Sequence, residues 1–282
     1  MKIWRYWLTE SRHLRCESVS YEPCVCNYRV TVGSNVSESD ARERLEAVFA
    51  ELVEWYGRGE RYSEEDVEEH RRRLRELHGW FEDGEYARPI CEPVVSELDS
   101  ANVVTRNRYG AEVLNSEETC FIDIDHVRRT FGESLRGLFC GARTPEDVLN
   151  ARIEALLSQS ENSDLGFRLY KTAAGFRLAV EGRRLEPGGK RANALMRIFN
   201  ADHLYANLCV SQKCYRARLT PKPSRMKMKR YDDTPSWVDE YDRRRQDYAV
   251  CRFVCAKGRR LDSPAIVLHD EKTMCESGLP LA

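Results

Sequence analysis

The 282-residue chain has no window approaching the roughly 18 uninterrupted apolar residues that a membrane helix needs. Its opening, MKIWRYWLTESRHLR, carries only a short apolar patch broken by Arg5 and Glu10. That is neither a secretory signal nor a spanning segment, so the expectation is a cytoplasmic protein with no membrane partner. Internal repeats and long low-complexity tracts are also missing. What remains is an ordinary globular balance, 32% charged and 41% hydrophobic residues, in a chain long enough for two domains.

A disulfide framework is excluded on similar grounds. Eleven cysteines is an odd number, and without a secretion signal reduced thiols are the expected state. Cys24 and Cys26 in CVC, and Cys251 and Cys255 in CRFVC, sit in strand-like sequence, where cysteine acts as a small core hydrophobe. Cys209 and Cys214 could join Cys251 and Cys255 in a zinc site, but the spacings are loose and no knuckle glycine accompanies them.

Net charge is nearly absent too, at −1, but it is unevenly divided. Between Arg168 and Arg230 sixteen basic residues stand against three acidic ones, giving +13 and leaving −14 for the remainder. Such asymmetry suggests a polyanion partner for the basic part, or a solvated basic face opposite an acidic domain. The acidic N-terminal part is in turn a candidate surface for a protein partner.

The first part, residues 1–95, reads as an α+β module. CVCNYRVTV has strand composition, and two amphipathic helices follow. The first begins at Ser39 as N-cap and ends at Gly57, with Ala41, Leu45, Val48, Phe49, Leu52 and Tyr56 on its apolar stripe. The second opens with Ser63 and Asp66 as a capping box and buries Val67, Leu74, Leu77 and Phe81. His70 and His78 on it read as solvated or packed rather than as ligands. Gly84, Pro89 and Pro93 mark the boundary.

Residues 96–282 also read as α+β, with an antiparallel or mixed sheet. NVVTRNRYGAEVLN predicts strand, turn at Tyr109-Gly110 and strand, and TCFIDIDHV predicts a third strand. Thr144, Pro145 and Asp147 signal a helix start. GFRLYKTAAGFRLAVEG predicts a hairpin and RANALMRIFNA a helix. YAVCRFVCAKG and PAIVLHD complete the expectation as two more strands.

Asp123 and Asp125 are the first candidates for chemistry. Strand alternation aims both the same way, and two like charges side by side call for a shared cation or for screening by water. Mg²⁺ or Mn²⁺ held by few carboxylates plus substrate phosphates is the metal reading, and a solvated strand end is the alternative. Lys171, Thr172 and Arg177 around the AAG turn offer two cations and a hydroxyl to a phosphate. In CYRARLTPKP, Arg216 and Arg218 share a strand face, while Lys222, Lys227 and Lys229 extend a backbone-tracking groove. His269 and Asp270 in LHD could form a further metal or acid–base pair.

Taken in order, FIDIDHV, KTAAGFRLAV and YRARLTPKP resemble the catalytic half of the archaeo-eukaryotic primase (primase-polymerase) superfamily, over about residues 102–230. RNRYG, YKTAAGFR and CYRARLTPKP together also resemble a group of bacterial proteins. The primase resemblance implies an RRM-like sheet with flanking helices that binds Mg²⁺ or Mn²⁺ and nucleoside triphosphates and extends a primer on nucleic acid. It implies Asp123 and Asp125 as metal ligands, and Lys171 and Arg177 at the triphosphate. Arg177 stands where the family has histidine. The third acid is assigned to Asp202, with Asp232 and Asp233 in reserve. A non-catalytic nucleic-acid-binding protein or accessory subunit would use the same basic surface. A haloacid-dehalogenase-like phosphatase also has D-x-D at a strand end, but needs repeating strand–helix units that are not seen here.

Overall fold

In the computed structural model, the described residues are 1–17, 22–59, 61–82, 85–128, 144–232, 234–261 and 263–282. The chain divides into two units, Met1–Glu92 and Pro93–Ala282, against the boundary after residue 95 expected from sequence. Both are α+β with antiparallel strand pairing. Among the described residues no helix is long and apolar enough to cross a membrane.

The first unit is built on a long hairpin, β1 (Tyr6–Cys16) and β2 (Cys24–Ser34). The helices α1 (Glu38–Gly57) and α2 (Glu64–Leu77) follow it. Alternation along β2 places Val30 and Val32 against Leu45, Val48, Phe49 and Leu52 of α1, which form a small core. The N-cap of α1 is Ser37, not Ser39: its hydroxyl accepts from the Asp40 amide. The Ser63–Asp66 capping box of α2 forms as the sequence predicts. Leu74 and Leu77 pack on the core, whereas the Phe81 side chain lies outside the described residues. His70 is packed, hydrogen-bonded to Glu51 and stacked on Trp55. Two short strands, β3 (Phe81–Glu82) and β4 (Glu85–Tyr86), close the unit.

The second unit holds two four-stranded antiparallel sheets. One comprises β5 (Val94–Asp99), β6 (Asn102–Arg106), β7 (Glu112–Ser116) and β11 (Tyr215–Arg218), in the order β11-β7-β6-β5. The other comprises β8 (Cys120–Ile124), β9 (Gly166–Thr172), β10 (Phe176–Glu181) and β12 (Cys251–Gly258), in the order β12-β9-β10-β8. Phe121, Leu169, Leu178 and Tyr215 belong to their common core. It is completed by α3 (Pro145–Leu157) and α4 (Lys190–Ile198), and by α5 (His203–Gln212) through Cys209. The helices α6 (Pro235–Arg244) and α7 (Pro264–Thr273) follow.

PAIVLHD is helical rather than extended. Ser263 accepts from the Ile266 amide as N-cap and Pro264 occupies the first turn, so the capping signal outweighs the β-branched pair Ile266-Val267. Of the four cysteines considered for zinc, Cys209, Cys214 and Cys251 are buried in the interior, and the Cys255 thiol donates to Asn150.

At the β9–β10 turn a Cβ on Gly175 would fall 2.1 Å from the Ile124 carbonyl oxygen, so only glycine lets this turn meet the end of β8. Gly175→Ala is expected to lower stability by about 3 kcal/mol, the range of backbone-clash substitutions. Urea denaturation of the variant checks this, and a change below about 0.5 kcal/mol would show that the turn is not locked to β8.

Candidate functional site

Register decides which side chains meet. Asp123 on β8 lies opposite Arg177 on β10, which lies opposite Tyr170 on β9 and, beyond it, Phe253 on β12. Residues directly opposite share a sheet face, so one row crosses the sheet carrying an acid, a guanidinium and two rings. Lys171 is paired with Phe176 and Arg252, the next row along, and so belongs to the other face. The two cations assigned to one triphosphate, Lys171 and Arg177, are therefore not brought together. Thr172 is used locally, its hydroxyl accepting from the Gly175 amide.

Arg177 is 2% exposed. Its Nε donates to Asp123 Oδ1 at 2.7 Å and its Nη2 to Oδ2 at 3.2 Å, the two-pronged geometry that a planar guanidinium makes with a carboxylate. Nη1 donates to the Arg218 carbonyl at 2.9 Å and faces His269 Nε2 at 3.3 Å. A guanidinium has only donors, so His269 Nε2 accepts, and its proton sits on Nδ1, 3.0 Å from Asp270 Oδ1. Asp270 also accepts from the Tyr170 hydroxyl and from Arg168 Nη2, both at 2.6 Å. The His269–Asp270 pair foreseen as a metal or acid–base site is thus a link in a closed network on α7.

The electrostatics follow from these contacts. Burial by itself would raise the Asp123 carboxyl, but the Arg177 charge and hydrogen bonds outweigh it and hold the carboxyl below its ordinary range. Burial pushes His269 down against the pull of its Asp270 hydrogen bond, keeping the ring neutral. The answer to the paired aspartates is therefore one-sided. Asp123 has a resident cation in Arg177, and Asp125, just past the strand end, is solvated.

Asp202 plays a third part. It is the N-cap of α5, its carboxylate accepting from the Leu204 amide at 2.9 Å, while its own amide donates to the Asp123 carbonyl at 3.1 Å. Asp125 and Asp202 line an open cleft of about 700 Å³ with His126, His203, Asn193 and Arg197; Asp123 is not part of its wall. Among the described residues, the trio of possible ligand atoms lying within 4.8 Å of one another is Cys16, Cys24 and Cys26, not these three acids. The acids do not fit a Mg²⁺ or Mn²⁺ centre as arranged: one is neutralised by arginine, one caps a helix and one faces water. Of the reserve acids, Asp232 is tied to Thr234 and Asp233 lies outside the described residues.

The basic strand is better assembled. Arg216 and Arg218 share a face of β11, with Tyr215 and Ala217 buried on the other. Arg216 reaches Gln212, whereas Arg218 has the charges of Arg177, Arg225 and Asp123 acting on it. Burial first, and then the charges of Arg177 and Arg225, bring Arg218 down to about 10 in spite of Asp123. Lys222 is depressed as well, by burial and by Arg218 and Arg225, against the attraction of Asp125 and Asp123. Arg218 Nε and Arg225 Nη1 are buried and have no hydrogen-bond partner among the described residues. Lys227 and Lys229 continue the track, fully on the surface. The Lys229 carbonyl accepts from Trp237 Nε1, and Trp237 and Tyr231 pack against Gly110. Beside Gly110, Tyr109 is 54% exposed with the Arg108 guanidinium over its ring. The sequence places Tyr109 only at a turn and Arg225 only in the count of basic residues; their place beside the track comes from the fold.

Much of the +13 is countered from outside its own segment. Arg168 pairs with Asp270, Arg177 with Asp123, Arg183 and Arg191 with Asp164, and Arg184 with Glu117 and Glu118. Comparison with protein-family models, with curated proteins and with solved structures found no match to this chain.

Asp123→Ala leaves a buried guanidinium without its counter-ion and is expected to cost about 3 kcal/mol, the lower end for such a pair because the Asp123 edge meets water. Asp123→Leu with Arg177→Met should recover most of this, and Asp125→Ala should change stability by less than about 0.5 kcal/mol. Because the folded-state carboxyl is depressed, the contribution of the pair is complete above the ordinary value of 3.8 and lost as pH falls through the lower one. Urea denaturation of the four proteins across acid pH checks both points, and equal losses for the two aspartates would contradict the assignment.

Proposed function

We propose that the second unit binds single-stranded nucleic acid through the track from Arg218 to Lys229, without catalysing nucleotidyl transfer. The observation that carries this reading is the crowding of Arg218, Lys222 and Arg225: burial and then neighbouring arginine charges depress Arg218 and Lys222, and Arg218 Nε and Arg225 Nη1 have no hydrogen-bond partner among the described residues, a cost that a phosphate would relieve. Five cations along β11 and the following segment suit successive phosphates of one backbone better than a single small anion. The exposed Tyr109 ring beside the far end of the track suits base stacking, which tolerates any sequence. In this reading Asp123 is the counter-ion that sets Arg177 in place. Arg177 in turn fixes the Arg218 backbone through its carbonyl.

The metal-dependent primase-polymerase reading keeps one favourable observation, that Asp123 and Asp125 both act on Lys222. It requires Asp123 to exchange Arg177 for a divalent ion. The two readings part on measurement. Binding of a labelled single-stranded oligonucleotide by fluorescence anisotropy should weaken steeply with salt, and Lys222→Ala/Lys227→Ala should flatten the log–log slope by about 1.4, at roughly 0.7 per phosphate. Tyr109→Ala should weaken binding by about 1–2 kcal/mol and leave the slope unchanged. Binding indifferent to salt and to these variants would overturn the proposal. Mn²⁺-dependent nucleoside triphosphate binding that disappears in Asp123→Ala/Asp125→Ala would restore the catalytic reading.

A further inference from the structure

The end of the β1–β2 hairpin next to the connection between the strands gathers three thiols. Cys16 is directly opposite Cys24 in the strand register, and Cys26 is two residues further along β2, so alternation puts all three on one face. Their sulfur atoms lie within 4.8 Å of one another, and Cys24 Sγ and Cys26 Sγ are 3.7 Å apart. Cysteine was expected here as a core filler, yet only Cys16 is buried: Cys26 is half-buried and Cys24 exposed. An exposed cysteine on a strand contributes little packing, so the core explanation does not cover this group.

The dimensions match a metal. With zinc–sulfur bonds of about 2.3 Å, a tetrahedral site has sulfur–sulfur edges of about 3.8 Å. The Cys24–Cys26 separation already has that value, and the 4.8 Å envelope leaves Cys16 a shift of about an ångström or less, within reach of side-chain rotation. The ring of Tyr28, two residues beyond Cys26 on the same face, packs on Tyr56 at 5.0 Å and walls one side. Solvent reaches the other through Cys24. Thiolate is the ligand form of cysteine, so a bound cation would displace thiol protons.

We propose that Cys16, Cys24 and Cys26 form a site for a thiophilic d¹⁰ cation, Zn²⁺ being the case argued, with three thiolate ligands and a fourth position supplied by solvent. Sulfur ligands select this class over Mg²⁺ or Ca²⁺. The site lies in the first unit and does not depend on the nucleic-acid reading of the second.

The test uses the full chain, with its eleven thiols shown to be reduced, titrated with Co²⁺ as a spectroscopic substitute and then with Zn²⁺. The wild type should bind one Co²⁺ with an intense near-ultraviolet sulfur-to-metal band and tetrahedral visible bands, both abolished by one equivalent of Zn²⁺. Cys24→Ser alone, at an exposed position that spares the core, should weaken Zn²⁺ by more than the roughly 10–100-fold that a supporting contact is worth. Cys91→Ser, outside the trio, should leave affinity unchanged. Zn²⁺ should also slow alkylation of Cys24. Absence of the sulfur band in the reduced wild type would overturn the proposal. So would a band that persists in Cys24→Ser/Cys26→Ser, since other cysteines would then hold the ion.

Discussion

The second unit is organised around one ion pair, Arg177 with Asp123. A guanidinium that is 2% exposed must have its charge and its donors answered, and here the charge and four of the five N–H groups are. Asp123 supplies the charge, the Arg218 carbonyl joins the strand that carries the basic track, and His269 ties in α7. One side chain thus connects β8, β10, β11 and α7. The same connection limits the chemistry. A carboxylate already bound two-pronged by arginine is a poor partner for a divalent ion, and in this arrangement Asp123 serves the packing of the sheet.

The paired arginines of the basic segment are balanced by carboxylates from outside it rather than by near neighbours in sequence. Asp164 lies just outside the basic segment and Asp270 far beyond it, yet both meet its arginines in the fold. Counting charges along the sequence therefore overstates the free basic surface. Of the basic residues that remain, Arg218, Lys222 and Arg225 are neighbours with no ion pair among the described residues, and Lys227 and Lys229 follow them. That residue of uncompensated charge, not the total, is what points to a polyanion.

Local rules were legible where a single turn of chain decides the outcome. The Ser63–Asp66 and Thr144–Asp147 boxes, the glycine turn at Gly110 and the β9–β10 hairpin all form where capping and turn chemistry place them. The Ser263-Pro264 signal is equally local, and it prevails over the apolar run after it, from which a strand is expected. Asp202, which the resemblance assigns as a third acid, is likewise a local signal, the cap of α5. What the sequence could not show was pairing across distance. That Arg177 faces Asp123, that Lys171 belongs to the opposite face, and that Cys16 meets Cys24 all depend on strand register, which no spacing along the chain reveals.

The most direct measurement is a pH titration of the Asp123 side-chain carboxyl by ¹³C NMR, with and without millimolar Mg²⁺. Ownership of Asp123 by Arg177 predicts a midpoint below the ordinary 3.8 that Mg²⁺ leaves unmoved. A midpoint at or above 3.8 without metal, or a resonance and midpoint that shift when Mg²⁺ is added, would contradict it and return the two aspartates to the role of metal ligands.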